Sequence, residues 1–107
     1  MRTVSRYIAE HYAEQINLPH LAELAGMSLS RFKRRFSVTF SMSPGRYVLT
    51  ARLNAARHLL ETTDKLVSDI ATECGFFDQS HFSKAFFRQR GVTPGAYRRQ
   101  HRERSAR

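Results

Sequence analysis

The sequence predicts an all-α fold in which two helix-turn-helix subdomains are joined by a long central helix. Three observations support this prediction: apolar residues recur at helical spacing, the same pattern occurs twice along the chain, and only five glycines and three prolines are available for loops. A chain of 107 residues is long enough for one compact domain or for two very small ones.

The repeat aligns the two halves of the chain residue by residue. The first half contains Leu21-Ala22, Gly26, Phe32, Phe36, Pro44-Gly45 and Tyr47, and the second contains Ile70-Ala71, Gly75, Phe82, Phe86, Pro94-Gly95 and Tyr97. Gly26 and Gly75 are 49 residues apart, whereas Phe32 and Phe82 are 50 apart. One extra residue therefore lies in the second turn, within Phe76–Phe77. Repetition in the same order argues against an ordinary helical hairpin.

The first unit, about residues 3–41, is predicted to contain three helices. The opening helix runs from about Thr3 to Glu14 and buries Val4, Ile8 and Tyr12. Asn17 caps a second helix, whose inner face carries Leu18, Leu21, Leu24 and Ala25. Gly26 ends that helix in a left-handed conformation. Ser28 caps the third helix, which buries Leu29, Phe32 and Phe36.

A long linking helix, about residues 43–61, follows the first unit. Ser43 is its predicted N-cap and Pro44 its first helical residue. Apolar residues lie on more than one side, so we expect this helix to pack against both units and to fix their separation.

The second unit, about residues 66–99, repeats the plan. Val67, Ile70, Ala71 and Cys74 form the inner face of its first helix, and Gly75 ends that helix. Leu66 stands at the cap position and cannot accept a hydrogen bond. Asp78 caps the next helix, which buries Phe82 and Phe86, and Thr93-Pro94 starts a closing helix. Residues 100–107 are predicted to form a basic, disordered tail.

The net charge restricts the partners that the chain is expected to bind. Eighteen Lys and Arg against nine Asp and Glu give a net charge of +9, which favours nucleic acid, an anionic membrane surface or an acidic protein as partner. A membrane-binding or protein-binding helix would carry its charge on one continuous face, whereas these basic residues lie on two short helices and a tail. An RNA duplex is disfavoured because its narrow major groove excludes a helix.

Catalysis and cofactor binding are not expected. The five histidines have no paired metal-ligand spacing, and no phosphate loop or nucleophile motif is present. The single cysteine excludes an internal disulfide and is expected to be a small buried hydrophobe. The chain has no apolar run that could span a membrane and no secretion signal, so a cytoplasmic, nucleoid-associated protein is expected.

Outward-facing residues of the helices that begin after Ser28 and Asp78 are the candidates for reading duplex DNA. Those predicted to contact bases are Ser30, Arg31, Arg34, Gln79, Ser80, His81 and Lys84. Those predicted to lie at phosphates are Ser28, Arg35, Ser37, Asp78, Ser83 and Arg88. Phe77 and Phe87 lie off the buried stripe; packing against the long helix is expected, with contact to thymine methyl groups as the alternative.

The sequence resembles the AraC/XylS family of bacterial transcription regulators over about residues 1–99. The second unit carries most of the resemblance, in Gly75-Phe76, Asp78 to Lys84, Phe86, Gly91, Thr93-Pro94 and Tyr97-Arg98. The first unit matches in Leu21-Ala22, Ala25 to Ser28, Phe32, Arg35 and Phe36.

This resemblance implies a seven-helix domain whose two recognition helices enter successive major grooves of a bipartite operator. It adds Lys33 to the base-reading positions, and it implies contact with RNA polymerase during activation. Most members carry a separate effector-binding or dimerisation domain, so the chain is either an excised C-terminal domain or a short single-domain member. The denser positive charge of the first unit predicts that this unit dominates affinity.

Overall fold

The computed structural model describes residues 1–106, which form seven α-helices and no strand. The helices are α1 (Arg2–His11), α2 (Leu18–Leu24), α3 (Leu29–Phe40), α4 (Pro44–Thr62), α5 (Val67–Glu73), α6 (Gln79–Arg90) and α7 (Pro94–Ser105). The predicted all-α fold is confirmed. Within residues 1–106, none of these helices combines the length and the apolarity that crossing a bilayer requires.

The chain divides into two compact units, and α4 belongs to both. Unit 1 is Met1–Ala51, and unit 2 begins at Arg52. The predicted linking helix of 43–61 is therefore present as α4, but it is not a separate connector. Its first part carries Val48, which belongs to the core of unit 1, and its second part carries the buried Leu53, Ala56 and Leu60.

The core of unit 1 is a cluster of buried apolar side chains from α1 to α4: Val4, Ile8, Leu21, Ala22, Phe32, Phe36 and Val48. Two predicted core residues are not buried, since Leu24 is 36% exposed and Leu29 is 37% exposed. The inner stripe of the seven-residue α2 is centred on Leu21 and Ala22, and Leu24 lies on its flank. Leu29 is the first residue of α3 and lines an open recess with residues 15–19.

The opening helix ends earlier than predicted, at His11 instead of Glu14. The backbone N–H of Glu14 donates to the carbonyl of His11 at 2.9 Å, which is a tightened turn and not a further α-helical turn. Tyr12, predicted to be buried, is partly buried against the core of unit 1.

Both helix-turn-helix turns are built by the same backbone motif. Gly26 has φ +68° and Gly75 has φ +95°, as the predicted left-handed ends require. In each turn, the backbone N–H of the residue after the glycine donates to the carbonyl five residues earlier. These bonds join Met27 to Ala22 (3.0 Å) and Phe76 to Ala71 (2.9 Å). The first turn covers residues 25–28 and the second residues 74–78, which confirms the extra residue.

The core of unit 2 includes Ile70, Ala71, Cys74, Phe82 and Phe86, all of them buried as predicted. Burial raises the pKa of the Cys74 thiol to about 11, so the side chain is a thiol at neutral pH. As the sequence predicts, Leu66 provides no side-chain cap for α5.

The basic tail differs from the prediction of disorder, because α7 continues to Ser105. The guanidinium of Arg102 donates to the carbonyl of Thr63 at 3.2 Å and pairs with the carboxylate of Asp64. The ring of His101 stacks on Tyr97, with centroids 6.3 Å apart. These contacts anchor residues 100–105 within unit 2. The last residue of the predicted tail, Arg107, lies outside the described residues.

Candidate nucleic-acid interface

The second helix of each helix-turn-helix begins at a side-chain cap. The backbone N–H of Arg31 donates to Ser28 Oγ at 3.3 Å, and the N–H of His81 donates to Asp78 Oδ1 at 2.8 Å. Both predicted caps are confirmed. Each cap satisfies one amide of the first turn and fixes where the outward-facing residues of α3 and α6 begin.

The outer face of α3 is basic and open to solvent. All the predicted contact residues of unit 1 are exposed: Ser28, Ser30, Arg31, Lys33, Arg34, Arg35 and Ser37. Phe32 and Phe36 anchor the opposite face in the core, and their ring centroids are 5.6 Å apart. Arg31, Arg34 and Arg35 line an open recess together with Val38. The buried phenylalanines thus hold three guanidinium groups on one exposed surface.

The outer face of α6 is equally exposed but carries fewer cations. Among the predicted contact residues of unit 2, Ser83 is half-buried, and the others are exposed: Asp78, Gln79, Ser80, His81, Lys84 and Arg88. Arg90, near the end of α6, lies over the Tyr97 ring at 5.3 Å. Four cations stand between residues 31 and 35, whereas Lys84 is the single Lys or Arg between residues 79 and 87.

Both α3 and α6 lack acidic residues, since the sequences LSRFKRRFSVTF and QSHFSKAFFRQR contain no Asp or Glu. Cations of each outer face therefore have no carboxylate partner within their own helix. Such surfaces attract polyanions, and the hydrogen-bond donors of arginine, lysine and glutamine suit phosphates and base edges alike.

Two phenylalanines of unit 2 are placed differently from the prediction. Phe77 is 84% exposed, so the expected packing of its ring against the long helix is wrong. Phe87 is 54% exposed, so at most half of its side chain is packed within unit 2. Phe77 lies in the turn before α6, where the preceding residue, Phe76, fills the buried position. The ring centroids of Phe77 and His81 are 5.6 Å apart. Phe87 lies on the outer face of α6, beside Lys84 and Arg88.

Sequence reasoning missed one residue of the surface, Val38. It is 82% exposed and lies beside Arg31, Arg34 and Arg35. The signal was available, because Val38 follows Arg34 by four residues and Arg31 by seven, which places all three on one side of a helix. Among residues 1–106, no group of three or more His, Cys, Asp or Glu is placed to hold a metal ion.

Comparison with known proteins identifies relatives among transcription regulators. Residues 21–100 match a family model described as a helix-turn-helix domain. The chain is 38% identical over 88 residues to the HTH-type transcriptional activator RhaS of Enterobacter sp. (strain 638), covering 82% of this chain and 32% of that protein. It is 35% identical over 97 residues to the probable transcriptional regulator LumQ of Photobacterium leiognathi, covering 91% of this chain and 39% of that protein. The chain thus spans about a third of the length of such relatives.

Solved structures of DNA-binding regulators have the same fold. The DNA-binding domain of AdpA, a global transcriptional factor solved in complex with a target DNA, superposes with a TM-score of 0.89 and 38% identity, covering 94% of this chain and 91% of that one. An AraC-type regulator from Chromobacterium violaceum superposes with a TM-score of 0.86 and 29% identity, covering 94% and 89%. The matched family model, the relatives and the tandem helix-turn-helix architecture agree: the chain belongs to the AraC/XylS family of bacterial transcription regulators, as a C-terminal-type DNA-binding domain.

Proposed function

We propose that this chain binds duplex DNA in a sequence-specific manner and supplies the DNA-reading part of a transcription regulator. One observation carries the proposal: the second helix of each helix-turn-helix contains cations and no Asp or Glu, and it exposes these cations on its outer face while its opposite face is fixed in the core. An α-helix fits the major groove of B-DNA, where base edges display distinguishable donors and acceptors. Each unit therefore reads one cluster of base pairs, and the two clusters form a bipartite site.

Base reading is assigned to the outward residues in the first half of each recognition helix: Ser30, Arg31, Lys33 and Arg34 on α3, and Gln79, Ser80, His81 and Lys84 on α6. Arg34 has the donor fork that pairs with guanine O6 and N7, and Gln79 can pair with adenine N6 and N7. Their exposure leaves these donors available to DNA.

Phosphate contacts are assigned to the flanks and the starts of the same helices: Ser28, Arg35 and Ser37 in unit 1, and Asp78, Ser83 and Arg88 in unit 2. Such contacts fix the register of the protein on the duplex without reading its sequence. The side chains of Ser28 and Asp78 already act as caps, so we assign the phosphate contacts of these two residues to backbone amides at the helix starts.

The relatives support a proposal for the wider role. RhaS is named as a transcriptional activator, and the chain matches 32% of its length. We infer that this chain also serves activation, with RNA polymerase as a partner and, in a longer regulator, an N-terminal effector-binding or dimerisation domain. No enzymatic step is assigned to it, since the relatives are regulators. Its place of action is the cytoplasm, where bacterial DNA lies.

Selection from a pool of random DNA duplexes tests the proposal. The expected result is a bipartite site, with two clusters of about four base pairs about one helical turn apart. An RNA duplex added as competitor should not displace the selected DNA, because its major groove is too narrow for a helix. Recovery of a single cluster, or binding with no preference over bulk DNA, would contradict the two-unit interpretation.

A further inference from the structure

The outer face of α6 carries an aromatic ring in the middle of its basic surface. Phe87 is 54% exposed, and its side chain lines an open recess with Ser83, Lys84, Arg88 and Thr93. In contrast, Phe82 and Phe86 of the same helix are fully buried. Packing within unit 2 therefore explains two phenylalanines of α6 but leaves half of the third in solvent.

Helical geometry aligns Phe87 with the residues assigned to base reading. It follows Ser80 by seven residues and Lys84 by three, so the three side chains share one stripe along the helix. In unit 1, the residue at the equivalent position, fifty residues earlier, is Ser37. The two recognition helices consequently present different chemistry at the same place.

The surroundings of Phe87 indicate what covers the ring. Lys84 and Arg88 flank it, and α6 contains no acidic residue, so this surface complements a polyanion and not a basic protein. A major groove has phosphates along its edges and base edges along its floor. The apolar group that it offers is the 5-methyl group of thymine.

We propose that Phe87 reads the methyl group of a thymine in the base cluster bound by unit 2. This inference rests on the proposed function and adds a specificity-determining residue to it. Lys84 and Arg88 hold the phosphates or base edges on either side, and the ring excludes water from the methyl. Unit 2 then adds an apolar contact to the polar contacts assigned to α6, whereas unit 1 relies on the guanidinium groups of α3.

Removal of single methyl groups from the DNA tests this contact. Starting from the selected site, each thymine of the unit 2 cluster is replaced in turn by deoxyuridine, which removes only the methyl group. Affinity is measured by fluorescence anisotropy for the wild-type chain, for Phe87→Ala and for Phe87→Leu. In the wild type, one position should lose affinity by about fourfold, the effect of one buried methyl-sized group.

The variants decide whether Phe87 is responsible. In Phe87→Ala, the same deoxyuridine replacement should have no effect, while Phe87→Leu should keep part of the methyl preference. Replacements in the unit 1 cluster should affect all three proteins equally. The inference is overturned if Phe87→Ala retains the full methyl preference, or if no thymine of the unit 2 cluster is sensitive. If the chain bound no duplex specifically, that result would contradict the proposed function and, with it, this inference.

Circular dichroism of the variants controls for folding. Because half of the Phe87 side chain is already exposed, both variants are expected to keep the wild-type helix content. Because Phe87 lies in unit 2, the control must report on that unit. A Phe87→Ala protein with wild-type helix content and melting temperature keeps unit 2 folded, so a loss confined to the unit 2 cluster reports the contact itself.

Discussion

Tyr97 donates a hydrogen bond from its hydroxyl to the carboxylate of Glu61, and this bond ties α7 to the C-terminal part of α4. Arg57, one turn before Glu61, donates to the same carboxylate oxygen at 2.9 Å. The hydroxyl of Tyr97 and, to a lesser degree, the guanidinium of Arg57 lower the pKa of Glu61 below its ordinary value. Glu61 is therefore ionised at neutral pH and receives two donors.

Replacing Tyr97 by phenylalanine should destabilise unit 2 by about 1–2 kcal/mol. The change keeps the ring, which packs edge-on against Phe86, and removes only the donor to the carboxylate. Hydrogen bonds to charged groups contribute about 1.5–3 kcal/mol, and the half-buried position places this one toward the lower end. Urea unfolding followed by circular dichroism at pH 7 measures the difference.

The pH dependence of that difference gives a sharper test. The pKa of Glu61 is lower in the folded chain than in the unfolded chain. The ionised carboxylate therefore stabilises the fold fully above the unfolded pKa, and this stabilisation is lost as the pH falls through the folded pKa. The gap between wild type and Tyr97→Phe should therefore shrink below about pH 4. Tyr47→Phe, whose ring packs against Phe36 and Phe40 in unit 1, is the matched control and should show no such dependence. A gap that is constant down to pH 2 would contradict the assignment.

Ser41→Gly should stabilise unit 1 by about 0.5–1 kcal/mol. Ser41 ends α3 with φ +59°, a left-handed conformation that costs a residue with a Cβ atom roughly 1–2 kcal/mol. Glycine removes this cost. Because glycine also gives the unfolded chain more conformational entropy, about 0.4–1 kcal/mol of the gain in stability is lost. Thermal or urea unfolding of the two proteins measures the gain.

The other half of the repeat supplies the reverse experiment. Gly91 ends α6 at the equivalent position with φ +75°, and a Cβ atom placed there would meet no other atom within 4 Å. Gly91→Ser should therefore destabilise unit 2 by a similar amount, through backbone conformation alone. If both substitutions changed stability in the same direction, the left-handed positions would not be the cause.

Local rules predicted the parts of this fold that local chemistry determines. Asn17, Ser28 and Asp78 cap their helices, and Gly26 and Gly75 adopt left-handed conformations, because each of these features depends on residues within one helical turn. The exposed faces of α3 and α6 followed from the spacing of the buried phenylalanines. Their role in DNA recognition stays a prediction.

Contacts between residues distant in sequence produced the differences. Arg98 donates to the carbonyls of Leu60 (3.2 Å) and Lys65 (2.7 Å), and Arg102 donates to that of Thr63. Two arginines of α7 therefore bind backbone groups in the last turn of α4 and in the loop that follows it. Nothing in an arginine-rich stretch distinguishes this role from a solvated tail. Periodicity also did not fix which apolar residues of the seven-residue α2 are buried: Leu21 and Ala22 are, and Leu24 is not.

Truncation after Arg99 should destabilise unit 2 by about 0.5–1 kcal/mol, because it removes the exposed Arg102–Asp64 pair and the last turns of α7. The shorter chain also loses cations, so its affinity for DNA should depend less steeply on salt while the preferred sequence stays the same. Thermal unfolding and a salt series of binding measurements check the two effects.

Two point variants separate these effects of the tail. Arg102→Gln removes the bonds to Thr63 and Asp64, whereas Arg104→Gln removes the same charge from an exposed position on the same helix. We expect Arg102→Gln to lower the melting temperature more than Arg104→Gln does. Equal melting temperatures would mean that the contacts of Arg102 do not stabilise unit 2.

Arg34→Ala and Lys84→Ala should each weaken binding to the selected DNA by about 1–3 kcal/mol, and each should relax the preference in one cluster only. Arg34 projects among three other cations on α3, whereas Lys84 has no Lys or Arg neighbour between residues 79 and 87. The larger loss is expected for Arg34, since unit 1 is predicted to supply more of the affinity. Anisotropy titrations on the intact site and on sites with one cluster scrambled measure both quantities.

Arg6→Ala, which removes one exposed cation from α1, is the matched control for net charge and should leave both preferences unchanged. A variant that weakened binding equally to every sequence, with a salt slope smaller by about 0.9, would identify that residue as a phosphate contact. Equal losses for Arg34→Ala and Lys84→Ala would contradict the dominance of unit 1. In that case, the apolar contact proposed for Phe87 is the expected source of the additional affinity of unit 2, because α6 carries three cations against four on α3.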